Sequence, residues 1–260
     1  MCTLIALHRC IPGAPLIVAA NRDEFRDRPS RGPALREFEH AFVVAPLDAQ
    51  AGGTWLGVNP AGVFAALTNR RAENPDPSHR SRGLLVLDAL GAASAEEAAA
   101  AALELPHGAY NPFNLFVADA QRAYAISYGV APKCIELAAG SHVIGNADLD
   151  AAPPAKVARI AGEAAKLANA PDEALLDRLA DLCRSHTGGA PTDDVCVHAG
   201  AYGTRSSTLL RLAEKASESA LLYADGEPCR TAYRDYTPLL HQLAREAGPV
   251  EGVSPARRPS

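Results

Sequence analysis

Position 2 of this 260-residue chain is a cysteine. A small residue after an initiator methionine permits removal of that methionine, which would make Cys2 the mature N-terminus. Thiol and α-amine then share one residue. The amine, with an ordinary pKa of roughly 7.7–8.0, can serve as base for a thiol that titrates at about 8.5. Pairing a side-chain nucleophile with the chain's own amine is a recognised way to activate it. A second chemically loaded run is Asn21-Arg22-Asp23-Glu24. On a strand, Asn21 and Asp23 share one face while Arg22 and Glu24 share the other. A carboxylate placed there can hold an N-terminal ammonium through a charge-assisted hydrogen bond. Taken singly, each feature has an ordinary reading: small second residues are common, and so are strands that end in solvated charges.

A hairpin must bring the two together. Short apolar runs at 3–8 and 15–21, split by Pro12-Gly13, have that form. Further strands are expected at 42–45, 54–59 and 63–68, with a turn at Pro60-Ala61-Gly62 and then a polar, proline-rich loop over 69–82. Helices are expected over 84–90 and 94–105, the second favoured by its alanine run and by Ser94 with Glu97 as a capping box. Strands at 114–119, 123–128, 134–137 and 141–144 follow, then helices at 155–168 and 172–185. A loop over 187–202 leads into a hairpin of 207–212 and 219–224. Strands cluster and helices pair without βαβ alternation, which predicts an α+β fold of antiparallel sheets with helices packed outside. One domain over 1–247 and a loose tail over 248–260 are expected.

Apolar residues at 48% and charged residues at 21% mark an ordinary globular chain rather than a disordered one. The net charge of −5 argues against nucleic acid as a partner. No apolar run reaches the ~18 residues of a membrane span. The N-terminus lacks the basic start of a secretory signal, so a cytoplasmic protein is expected. Cysteines at 2, 10, 134, 183, 196 and 229 form no CxxC pair and carry no zinc spacing, and the histidines show no HxxxH or HExxH pattern. The last five cysteines therefore read as small core hydrophobes of a reducing compartment, and neither a metal site nor a cofactor is expected. Gly52-Gly53 ahead of Trp55 reads as a turn, since a phosphate-binding loop would need a strand–helix frame and a lysine.

Met1-Cys2, the expected hairpin and Ala19-Ala20-Asn21-Arg22-Asp23-Glu24-Phe25 together resemble the NRDE family, also called the transport and Golgi organization family. The likeness continues through Gly52-Gly53-Thr54-Trp55-Leu56-Gly57, Ala65-Ala66-Leu67-Thr68-Asn69 and Asn111-Pro112-Phe113-Asn114-Leu115. It ends with Gly145-Asn146-Ala147 and Tyr202-Gly203-Thr204-Arg205-Ser206-Ser207-Thr208. The resemblance implies an N-terminal-nucleophile hydrolase-like fold, a four-layer αββα sandwich of two antiparallel sheets. This layout is similar to that of choloylglycine hydrolases and penicillin acylases, which cleave amide C–N bonds. By motif it implies Cys2 as nucleophile, Asp23 as partner of the freed amine, Asn69 as oxyanion-hole donor, Asn146 as a second orienting amide and Arg205 as the cation. Asn21, Arg22, Trp55 and Tyr202 are the implied substrate contacts. Ala20 departs from the pattern, because the amidases carry an arginine there. Gly145 and Pro153-Pro154 also depart, where many members have a serine and an aromatic residue. A guanidinium near the thiol is then absent or supplied by Arg205.

The expected activity is hydrolysis of a non-peptide amide bond in a small N-acyl metabolite. The alternative implied by the resemblance is an intracellular carrier of haem or of an acyl or lipid ligand. Haem would need an axial ligand, for which His8, Cys10 and Cys2 are the candidates. The expected partner is thus a small amide substrate or a hydrophobic ligand such as haem.

Overall fold

Pro12-Gly13 turns the chain back on itself, with Gly13 at φ 70°, a conformation suited to glycine. Strand β1 (Thr3–Ile11) thereby pairs antiparallel with β2 (Ala14–Phe25), Thr3 lying opposite Asn21. The computed structural model describes residues 2–246 apart from 40, 73, 170 and 172. Met1 and the tail expected from 248 lie outside the described residues.

After the hairpin come β3 (Ser30–Phe38), β4 (Ala41–Asp48), β5 (Leu56–Val58) and β6 (Phe64–Asn69). Helices α1 (Arg82–Leu90) and α2 (Ala95–Leu103) precede β7 (Phe113–Ala118), β8 (Ala123–Tyr128), β9 (Pro132–Glu136) and β10 (Gly140–Ile144). The chain closes with α3 (Ala155–Asn169), α4 (Leu175–Arg184), β11 (His198–Ala199), β12 (Tyr202–Leu212), β13 (Ala220–Ala224), β14 (Arg234–Asp235) and α5 (Thr237–Glu246). One antiparallel sheet runs β10-β1-β2-β12-β13-β14, with β11 paired to β12. The other runs β3 to β9 in chain order.

Side-chain alternation builds the layers. In β1, Leu4 and Ala6 join the core between the sheets, while Ile5 and Leu7 pack with Ile160, Leu175 and Leu179 of α3 and α4. In β6, Phe64 and Ala66 face the inter-sheet core, whereas Ala65 and Leu67 pack with Leu85, Val86 and Ala98 of α1 and α2. Both faces of these strands are therefore apolar, which is the condition for continuous hydrophobic runs in sequence. The result is the expected αββα sandwich. At α2 the capping box is real but shifted: Ser94 Oγ accepts from the Glu97 N–H at 3.1 Å, while the Glu97 carboxylate accepts from the N–H of Ala93 rather than Ser94.

β3, β12 and α5 differ most from the sequence reading. β3 is an added strand at the sheet edge; Arg31, Arg36 and Gly32-Pro33 give it a loop-like composition, tolerated because one side of it meets solvent. β12 begins at Tyr202, not 207, because its polar first half stays paired to β2. α5 is a further helix that lays Leu240 and Leu243 against the inter-sheet core.

Candidate active site

The apolar half of β2 carries straight on into Asn21-Arg22-Asp23-Glu24, which stays within the sheet against β12. Asn21, Arg22 and Asp23 are consequently buried. Asp23 Oδ1 accepts from Thr204 Oγ1 at 2.6 Å, and Thr204 Oγ1 in turn accepts from the Val197 N–H at 2.8 Å. Tyr202 donates its hydroxyl to the Asp23 carbonyl at 2.9 Å. Cys2, one residue before β1, places its Sγ 3.9 Å from that same carbonyl. Burial pushes the Cys2 thiol above its ordinary value, against the pull of the Arg22 guanidinium. Burial also raises the Asp23 carboxyl to about 6, against the Thr204 hydrogen bond and the positive Lys156.

Cys2 lines two sizeable cavities at this end of the sandwich. The larger, about 620 Å³, is also walled by Asn69, Arg70, Asn146, Lys156 and Val157. The second, about 390 Å³, is walled by Arg22, Asp23, Trp55, Arg82 and again Asn69. Asn69 and Cys2 therefore stand together where the two meet. Asn146 reaches the larger cavity because its loop is pinned from below. The Gly145 carbonyl accepts from Thr68 Oγ1 at 2.6 Å and from Asn114 Nδ2 at 3.1 Å, and Asn114 Nδ2 also donates to the Ala147 carbonyl at 2.8 Å. Asn146 then donates its amide to the Asn69 carbonyl, which links the two asparagines.

Arg22 faces away from the Asp23 carboxyl, as strand alternation requires. Its guanidinium lies 4.2 Å from the Trp55 ring centroid and 3.7 Å from both Glu24 and Asp48. This side faces the thiol's cavity, so a guanidinium near Cys2 is present after all. Arg205 does not supply it. A bulge between Thr204 and Ser206 takes Arg205 out of register, and its guanidinium pairs with Asp225 at 3.3 Å. It lines neither of the two cavities, nor the small cleft that Cys2 shares with Thr68. Asn21 is committed as well: its Nδ2 donates to the carbonyls of Cys183 and Val195 at 2.9 and 3.0 Å, which ties β2 to the end of α4. His8 sits at the far end of β1, with Nε2 3.0 Å from the Asp119 carbonyl.

A model of the Transport and Golgi organisation 2 family matches residues 1–221. This chain belongs to the Transport and Golgi organisation 2 family. Curated members include the mouse Transport and Golgi organization 2 homolog, 30% identical over 227 residues covering 75% of this chain and 81% of the mouse protein. The human homolog is 31% identical with the same coverage. Among solved structures, penicillin V acylase from Agrobacterium tumefaciens superposes with a TM-score of 0.60 at 15% identity, covering 94% of this chain and 88% of its own. The Caenorhabditis elegans ortholog of N-acylethanolamine-hydrolyzing acid amidase gives 0.58 at 14%, covering 88% and 97%. A mutant of the conjugated bile acid hydrolase from Clostridium perfringens gives 0.57 at 13%, covering 92% and 93%. At such identities the likeness is one of fold, that of the N-terminal-nucleophile hydrolases.

Two cations of this Transport and Golgi organisation 2 chain carry no motif signal. Lys156, near the start of α3, lines the larger cavity, and its ammonium is lowered by burial while the charges of Asp23 and Cys2 pull it up. Arg82, the first residue of α1, lines the second cavity and donates to the Pro112 carbonyl at 3.0 Å. Thr204 likewise reveals its role only through its contact with Asp23. One cluster among the described residues also departs from the expectation of no metal site: ligand atoms of His186, Cys196, His198 and Cys229 all lie within 4.8 Å of one another.

The raised Asp23 carboxyl has a measurable consequence in the unprocessed chain. In the unfolded state it titrates near 3.8, and in the folded state at about 6. Between those values the folded protein keeps a proton that the unfolded chain has lost, so stability falls as pH rises through the window. The fall attributable to Asp23 is roughly 2–3 kcal/mol. Urea midpoints taken from pH 4 to 7 on protein that retains Met1 are expected to show this decline and to lose it in Asp23→Asn.

Proposed function

We propose that this chain is a cysteine amidohydrolase of the N-terminal-nucleophile type, cleaving the amide C–N bond of a small N-acyl compound. The observation that carries this reading is Cys2 at the junction of two cavities, beside Asn69 and behind a buried Asp23. Three structural neighbours named as hydrolases or acylases lend support through the shared fold. Removal of Met1 frees the amine on Cys2, whose Sγ lies 3.9 Å from the Asp23 carbonyl. The thiol, held protonated by burial, passes its proton to that amine as Sγ bonds to the substrate carbonyl carbon. The carbonyl oxygen becomes an oxyanion, with the Asn69 amide as donor. Collapse breaks the C–N bond and the ammonium returns its proton to the departing nitrogen. Water then attacks the thioester, the amine takes its proton, and the acid leaves as the thiol is restored. Asp23 keeps the amine in place, while Arg22, Arg82 and Lys156 offset the negative charge that builds up.

The two cavities give each side of the scissile bond its own room. The larger one, with Pro154, Ala155 and Val157 in its wall, suits the acyl part. The second, where Arg22, Arg28, Arg80 and Arg82 stand among Asp23, Glu24, Asp48 and Asp76, suits a polar leaving group. No cofactor takes part in these steps, and a free thiol suits a cytoplasmic setting. Intact mass before and after a brief pulse of iodoacetamide at neutral pH tests the first requirement. Loss of Met1 with one fast adduct mapped to Cys2 is expected. Retention of Met1 in the purified protein would leave the amine inside a peptide bond and defeat the mechanism.

A further inference from the structure

We propose that His186, Cys196, His198 and Cys229 form a structural zinc site that clamps three loop segments beside the Cys2 cavities. The ligands come from the residues just after α4, from the strand pair around β11, and from the turn that follows β13. Cys196 and Cys229 Sγ are 3.5 Å apart, and His198 Nε2 lies 3.7 and 3.2 Å from the two sulfurs. A tetrahedral zinc with ordinary Zn–S and Zn–N bonds needs ligand atoms spaced at roughly 3.3–3.8 Å. The cluster is therefore close to the required geometry, and its rings are already side by side: the His186 and His198 centroids are 5.1 Å apart.

Each histidine also has the outer partner that a metal ligand needs. His186 Nδ1 faces the Asp194 carboxylate at 3.3 Å, and His198 Nδ1 faces the Glu227 carboxylate at 3.5 Å. A carboxylate that holds Nδ1–H fixes the tautomer in which Nε2 offers its lone pair to the metal. Asp194 is itself held, accepting from Thr187 Oγ1 at 2.8 Å. Two thiols, each giving up one proton on binding, would neutralise the charge of one divalent zinc ion. Four protein ligands fill a tetrahedron and leave no open position for a substrate, so the site is structural rather than catalytic. Soft sulfur with imidazole selects zinc over magnesium or calcium.

The three segments matter because of where they lead. Thr192 and Asp193, in the loop between His186 and Cys196, wall the larger cavity. Val197, between two of the ligands, donates to Thr204, which holds Asp23. A metal here fixes the outer wall of the site without touching its chemistry, and it stands whether or not Cys2 turns over a substrate.

The test uses the full chain, purified under reductant without metal-affinity resin. Elemental analysis is expected to give one zinc per chain. After zinc removal, Co²⁺ should produce tetrahedral visible bands together with thiolate-to-cobalt charge transfer. Zn²⁺ should raise the thermal midpoint of the stripped protein by about 5 °C or more. The Cys196→Ser, Cys229→Ser double variant should lose the charge-transfer bands, and His107→Ala, at an exposed position elsewhere, should keep them. Failure of the reduced parent chain to bind Zn²⁺ or Co²⁺ more tightly than about micromolar overturns the proposal without appeal to any variant. Charge transfer that persists in the double variant overturns it too.

Discussion

Cys2→Ala is expected to abolish amide hydrolysis, with a loss on the order of 10⁶-fold in kcat, the size seen when a covalent nucleophile is deleted. No other thiol can substitute. Of the remaining cysteines, Cys183 is buried on α4, where desolvation raises it to about 12, and none of the others lines the two Cys2 cavities. The substitution should leave the fold nearly untouched, because the hydrogen bond from the sulfur to the Asp23 carbonyl, at 3.9 Å, is long and weak. Active-site burst titration with N-acyl substrates, run alongside a thermal melt, separates the two effects. A Cys2→Ala protein that melts normally and still hydrolyses the substrate would mean that the nucleophile lies elsewhere.

Gly53→Ala is expected to cost at least about 4 kcal/mol, a loss reserved for changes that the backbone cannot absorb. A Cβ at Gly53 would sit 2.3 Å from the Gly83 carbonyl carbon and 2.6 Å from its oxygen. The contact is mutual, since the Thr54 N–H donates to the Gly83 carbonyl at 3.1 Å. Relief would require α1 to move off the segment leading into β5, and Arg82 at the start of α1 would move with it. Both stability and the charged cavity should suffer. Urea unfolding measures the first. For the second, KM should rise for substrates with a polar leaving group more than for apolar ones.

The glycine pair illustrates what sequence could and could not convey. Gly52-Gly53 reads correctly as a turn, with Gly52 at φ 72°, but nothing local announces the second glycine at residue 83 pressed against it. The same division runs through the site. Cys2, Asp23, Asn69 and Asn146 are legible because they lie in contiguous motifs on strand ends, where one register fixes their direction. Lys156 and Arg82 sit at helix starts that only tertiary packing carries to the cavity, and charged residues there are unremarkable. Arg205 is misleading because a bulge, invisible in a pattern of alternating residues, turns it toward Asp225. The four proposed zinc ligands lack motif spacing because three separate segments supply them.

Strand pairing also sets a timetable. β1 is flanked in its sheet by β2 and β10, and β2 is flanked on its far side by β12. The hairpin can form early, but the neighbours that enclose it are synthesised only after residue 140 and residue 202. At ribosomal rates of roughly 5–20 residues per second, the N-terminus stays uncovered for on the order of ten seconds. An aminopeptidase working on the nascent chain would have that interval to act before the sandwich closes. Slower elongation between residues 25 and 202 would lengthen it, which would make removal of Met1 a matter of chain order as much as of the residue at position 2.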